Sequence, residues 1–405
     1  MFQKPTKSRS LILLLLVNLI IWSCSKNDID PVVENQYLVS TSVIGEYSTT
    51  QVAQRVDNSD FGQGNALITS LVKGLVKYPI KVYKVVYNTK GVDGKTLQAS
   101  GVVIVPTTTE SLPLISQQHG TLSNKADAPS LYSTGASETY LLASLVASNG
   151  FILSCPDYIG YGTTQNLDHP YEHRETLAQS SLDLIRAAKE LLNQEKVSWS
   201  KKVMITGYSE GGYATMALQK KMEEQFPNEF NLVASSCGAG AYNKTAFMKY
   251  IINETTHGVA SYNSLYIWVT TAYNSIYGIN RPMTYYFNAP YAAEVQAKGP
   301  FANIPVSINL AYSDTFRKGV NEGTDTAFIN AVKDNDIFDW KPKTPTQLYH
   351  GTADQHVFYF NSETAFNAMK AKGGDVTLIS LPNKDHFTAI QDYLLGTLTF
   401  FGGKK

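Results

Sequence analysis

The sequence predicts an α/β protein: a mostly parallel, eight-stranded sheet covered by helices on both faces and interrupted by one helical insertion. Three observations carry that expectation. From Pro113 to Cys237, short apolar runs alternate with segments of helical spacing. From about Ala241 to Lys343 the alternation stops, and it resumes at Thr346. The composition, 43% hydrophobic and 17% charged with 34 basic against 34 acidic residues, suits a packed globular chain and argues against a disordered chain, a collagen or a coiled coil. Zero net charge offers no global attraction to nucleic acid or to an anionic membrane. Three cysteines argue against a disulfide-stapled architecture.

Taken in order, residues 1–23 read as an export signal. Lys4, Lys7 and Arg9 precede an apolar run, Leu11 to Trp22, that falls short of the roughly 20 residues a membrane span needs. The run ends Ile21-Trp22-Ser23-Cys24, which resembles a bacterial lipobox. That resemblance implies lipidation of Cys24, an exported chain, and a lipid anchor in the bacterial cell envelope facing the periplasm or the surface. Removal of the three basic residues would leave a slight excess of acidic groups. Residues 24–36, with Asp28, Asp30 and Pro31, read as a flexible tether.

Residues 37–240 form the first part of the core. Helical spacing at Thr50–Val56 and Ala66–Lys77 leads into the β-branched and aromatic run Ile80–Tyr87. A turn signal at Gly91–Gly94 and a second run, Thr96–Val105, complete a hairpin. Strands follow at 113–116, 151–155, 202–206 and 232–237, with helices at 139–148, 176–194 and 212–225. The insertion, 241–343, is rich in Tyr, Phe, Asn and Ala and carries helical spacing at 244–253 and 261–275. Residues 344–405 close the core with strands at 346–349 and 376–380 around a helix at 362–372.

The motif that carries chemistry is Gly207-Tyr208-Ser209-Glu210-Gly211-Gly212, a G-x-S-x-G between a strand and a helix. So sharp a turn needs minimal side chains at Gly207 and Gly211, and it presents the Ser209 hydroxyl at a helix N-terminus. A serine needs a base oriented by an acid. In strand–Ser–helix folds of this kind the chain order is Ser, acid, His. Asp354 and His386 each follow the carboxyl end of a strand, where open α/β sheets place ligands, and are expected to be that acid and base. Asp385 is a weaker acid because it adjoins His386, while His257, His350 and His356 are rival bases. His350 is expected to shape the turn that holds Asp354. The oxyanion hole needs backbone N–H donors. Glu210 supplies one, and the loop Gln117-Gln118-His119-Gly120-Thr121 the other, with Thr121 the first choice beside Gly120. His119 reads as a structural loop histidine.

Other patterns weigh less. His169-Pro170-Tyr171-Glu172-His173 fits a zinc-protease H-x-x-E-H, but Pro170 sits inside the helical turn that motif requires. No metal is expected there. Asp334, Asp336 and Asp339 crowd one loop without the Gly and Glu of a calcium hand. Cys155 and Cys237 fall on strands that the expected order separates by two others, roughly 14 Å at normal strand spacing, too far for a disulfide.

Together these motifs resemble the α/β-hydrolase superfamily over nearly all of residues 80–400. Ser154-Cys155-Pro156-Asp157-Tyr158-Ile159-Gly160-Tyr161-Gly162, the following His169-Pro170-Tyr171, and Gly207 to Gly212 are similar to its secretory-lipase branch, of the fungal lipase A type. The resemblance implies an α/β-hydrolase fold with a helical lid between the sixth and seventh strands, esterase or lipase activity on a small-molecule or lipid ester, no cofactor, and catalytic roles for Ser209, Asp354 and His386. Neither a nucleic-acid partner nor an obligate protein partner is expected. Two other readings stand beside it: an aminopeptidase or dipeptidyl peptidase holding a peptide amine on Glu210 or Glu172, and a surface glycan-binding protein gripping its ligand with the aromatic insertion.

Overall fold

The computed structural model describes residues 1, 35–59, 70, 72–136 and 138–405. The export signal, Cys24, most of the tether and much of the expected 66–77 helix lie outside the described residues. A nine-stranded sheet organises the rest, in the order β1-β2-β3-β5-β4-β6-β7-β8-β9. The elements run β1 (Leu38–Tyr47), α1 (Thr49–Asp57), β2 (Ile80–Lys90), β3 (Thr96–Pro106), β4 (Leu112–Gln118), α2 (Ser144–Ser148), β5 (Ile152–Pro156), α3 (Arg174–Gln194), β6 (Trp199–Tyr208), α4 (Glu210–Gln225) and β7 (Asn231–Gly238). Then come seven helices: α5 (Lys244–Asn253), α6 (Ala260–Ile276), α7 (Met283–Tyr286), α8 (Tyr291–Lys298), α9 (Ile308–Ala311), α10 (Asp314–Asn321) and α11 (Thr326–Asp334). The chain returns as β8 (Thr346–Gly351), α12 (Phe360–Ala371), β9 (Val376–Leu381) and α13 (Ile390–Gly402).

Strands β1, β2, β3 and β5 pair antiparallel, and every pairing from β5 through β4 to β9 is parallel. The ninth strand is β1, in the stretch read only as a lead-in. It is an edge strand with one buried residue, Leu38, so it lacks the apolar alternation that marks a half-buried strand. Its start is held by the Glu190 carboxylate, which accepts the N–H groups of Gln36, Tyr37 and Leu38. The expected 139–148 helix begins as a π-turn, Glu138–Ala143, before tightening into α2.

Period-two alternation sends neighbouring side chains to opposite faces of the sheet. Leu114, Ile152, Val203 and Ile205 pack with Leu184, Ala188 and Leu191 of α3 and Leu218 of α4. Ile115, Leu153 and Met204 pack on the other face with Val56, Leu145 and Phe401. The insertion has its own core, in which Phe316 contacts Tyr286, Tyr312 and Phe328 at centroid distances of 5.1, 5.2 and 5.0 Å. It enters between β7 and β8, so the sheet chemistry on either side remains contiguous. Cys155 and Cys237 are free and buried on β5 and β7, with β4 and β6 between them as expected. Burial pushes the Cys237 thiol up to about 12.

Candidate active site

Ser209 stands at the end of β6 with φ 59° and ψ −124°, a left-handed backbone that a non-glycine residue adopts only under constraint. The constraint is visible on both sides. A Cβ at Gly207 would run into the carbonyls of Gly211 and Gln118, and one at Gly211 into the carbonyls of Gln118 and His119. The glycines therefore let the turn press against the end of β4 and bring the 117–121 loop beside Ser209.

His386 joins the three expected residues. Its Nε2 lies 2.9 Å from Ser209 Oγ, and its Nδ1 lies 2.6 Å from Asp354 Oδ2. The network assigns the proton to Nδ1, donating to the carboxylate, and leaves Nε2 to accept from the serine hydroxyl. Tyr208 holds the His386 loop from below: its hydroxyl donates to the His386 carbonyl at 2.7 Å. Asp354 is buried and also accepts the backbone N–H groups of His356 and Val357 at 2.8 and 2.9 Å. His350 adds a contact at 3.3 Å to Asp354 and bonds the Val357 carbonyl and Ser362, which places it as the shaper of this turn. Burial disfavours the Asp354 charge, but hydrogen bonds from His350 and His386 outweigh it and hold the carboxyl well below the usual range.

The rivals lie elsewhere in the network. Asp385 caps a local turn through the N–H groups of Phe387 and Thr388. His257 bonds Val259 and Tyr266. His356 packs on Tyr262 and beside His386 with centroid distances of 4.2 and 4.5 Å, and burial with the neighbouring His386 pushes its imidazole down to about 3. It is neutral beside the site.

On the opposite side of Ser209, Glu210 is the first residue of α4, so its N–H has no intrahelical acceptor. The Gly120 N–H is committed to the Glu138 carboxylate at 3.2 and 3.3 Å, so of the two loop N–H groups expected to donate, that of Thr121 is the uncommitted one. The Thr121 hydroxyl meets the Tyr171 hydroxyl at 2.8 Å. His119 lies between the Gly120 and Asp157 carbonyls and packs on Tyr158, a loop-holding arrangement. Sequence reasoning missed Glu138, whose only sequence signal is an acid just before an apolar run.

The zinc-like motif is taken apart. His169 bonds Glu210 Oε1 at 2.7 Å, Glu172 pairs with Lys244, and His173 bonds Thr176. Asp334, Asp336 and Asp339 separate in the same way, to Arg174, Thr245 and Lys372. Among the described residues no cluster is suited to a metal ion. An open cleft is lined by Ser209, His386, Thr121 and Phe387. A second, narrow cavity runs from Ser209 beneath α5 and α6 past Phe247, Met248, Val269 and Tyr273.

Comparison with known proteins bears on the fold and the family. The fold is similar to that of a protein from Legionella pneumophila subsp. pneumophila str. Philadelphia 1 (25% identity, TM-score 0.79, 91% of this chain and 98% of that one). It is also similar to the rice cell wall degrading esterase LipA from Xanthomonas oryzae (23%, 0.73, 89% and 95%) and to Candida antarctica lipase A in its closed state (15%, 0.59, 90% and 83%). No curated protein sequence matches. The model of the secretory lipase family matches residues 125–394, a span that takes in the serine turn, the insertion and both downstream loops. Matched over well more than half its length, the chain belongs to the secretory lipase family and is a carboxylic-ester hydrolase.

Proposed function

We propose that the ester is cleaved by a Ser209–His386–Asp354 triad through an acyl-enzyme. The observation that carries this reading is the continuous hydrogen-bonded line from Asp354 through His386 to Ser209. Ser209 Oγ attacks the acyl carbon as its proton passes to His386 Nε2. The negative oxygen of the tetrahedral intermediate lies against the N–H groups of Glu210 and Thr121, at the positive end of α4. The intermediate collapses, the alcohol leaves with the proton from His386, and the acyl group remains on Ser209. Water, deprotonated by His386, repeats the attack and releases the acid. Asp354 keeps the imidazole in the right tautomer and stabilises its charged form.

The insertion, 241–343, serves as a helical lid whose apolar underside receives the acyl group, while the open cleft receives the alcohol. Two acidic groups disfavour a peptidase: Glu172 is paired with Lys244, whose ammonium would repel a peptide amine, and Glu210 is buried against His169. The family is one of secreted lipases, in keeping with export, and Cys24 would provide the membrane anchor. Ser209→Ala should abolish p-nitrophenyl ester hydrolysis and labelling by a fluorophosphonate probe while leaving the circular dichroism spectrum unchanged. Hydrolysis retained by a folded variant would overturn the assignment.

A further inference from the structure

We propose that the cavity beneath the insertion ends in a hydroxyl-reading subsite made by Lys244 and Glu172, and that the preferred esters carry a hydroxyl far along the acyl group. This rests on the ester-hydrolase reading above and names the acyl class it selects.

Helix α6 gives the cavity its length. The Tyr266 hydroxyl donates to the His356 carbonyl, beside His386, and the Tyr273 hydroxyl donates to the Glu172 carbonyl. Both tyrosines line the cavity, and the seven-residue step from one to the other spans roughly 10 Å of helix. One end thus lies at the reacting serine and the other at Glu172. Between them the wall is apolar, with Phe247, Met248 and Val269.

At the far end the chemistry changes. Lys244 and Glu172 are 3% and 6% exposed, form an ion pair, and both border the cavity. Burying such a pair carries a desolvation cost that two apolar residues would avoid, and a plain alkyl chain gains nothing from it. Glu172 is moreover held at φ 49°, the left-handed region, so its placement overrides backbone preference. Among the described residues, Lys244 Nζ donates to Glu172 alone and otherwise faces the Tyr213 ring at 4.1 Å. An ammonium has three donors and a carboxylate several acceptor sites, so both partners retain capacity. A hydroxyl, donor and acceptor at once, can bond both from the cavity side without adding charge. A carboxylate would meet Glu172, and an ammonium would meet Lys244. The fitting acyl group therefore ends in an alcohol or a phenol.

The test uses matched 4-nitrophenyl esters, plain and ω-hydroxylated, in a series from butanoyl through hexanoyl and octanoyl to decanoyl. In the wild-type protein kcat/KM should favour the hydroxylated member by about tenfold or more at the length that reaches the pair, and not at butanoyl. The Lys244→Met, Glu172→Leu double variant should lose or invert that ratio. A wild-type ratio at or below one at every length would overturn the proposal without any variant, as would an unchanged ratio in a folded double variant. If no ester in the series turns over, it is the triad reading that fails instead.

Discussion

At the residue scale the site depends on a few atoms held in costly positions. Asp354 is the clearest case: it spends its acceptor capacity on two backbone N–H groups and two histidines, which fixes the plane of the His386 ring facing Ser209. Asp354→Asn keeps the shape but favours the wrong imidazole tautomer, and kcat should fall by roughly 10⁴-fold with little change in KM. The same carboxyl ties stability to pH. Its folded pKa is depressed, so its contribution is complete above the ordinary carboxylate range and is lost as pH falls through the lowered value. Acid unfolding curves of the wild type and the Asn variant should therefore converge only in strong acid. Gly211 is held by geometry rather than charge. Gly211→Ala places a methyl group against the carbonyls of Gln118 and His119, and should cost about 1–3 kcal/mol, measured as a drop in Tm, together with a loss of kcat as the oxyanion loop is displaced.

The elements show which parts of the site were readable and why. The serine turn, Asp354 and His386 were legible because each occupies a strand end followed by a turn, a pattern local enough for sequence to carry. Glu138, the His169–Glu210 pair and the Lys244–Glu172 pair were not, because their partners lie 18, 41 and 72 residues apart and meet only when β4, the 169–173 loop and α5 converge. The insertion was legible as a break in rhythm and as helices α5 and α6, whereas the cavity beneath it depends on how those helices pack. Its aromatic core is a cluster separate from those built on the sheet. Phe316→Ala should therefore cost about 3–5 kcal/mol, felt first inside the insertion. Limited proteolysis should cut that variant within residues 244–334 before the sheet yields, and hydrolysis of longer acyl esters should weaken before that of acetate esters.

For the whole molecule, the order of the parallel strands assembles the site: β6 lies between β4 and β7, so the Ser209 turn, the 119–121 loop after β4 and the Asp354 loop after β8 gather at the carboxyl ends of the strands. The outermost prediction concerns Cys24. If the expected signal is processed there, the wild type should partition into detergent with the membrane fraction, and Cys24→Ala should move the protein to the soluble fraction; unchanged fractionation would remove the anchor. The sequence alone determined the α/β class, the insertion, the serine turn and the two downstream partners, because apolar periodicity and turn chemistry are properties of neighbours along the chain. The tertiary structure alone decided that β1 joins the sheet as a ninth strand, that Gly120 is committed to Glu138, and that the Lys244–Glu172 ion pair borders the cavity beneath α5 and α6. Those outcomes turn on an edge strand with almost no buried face and on polar groups whose partners are distant in sequence, where only the packed fold sets which donor meets which acceptor.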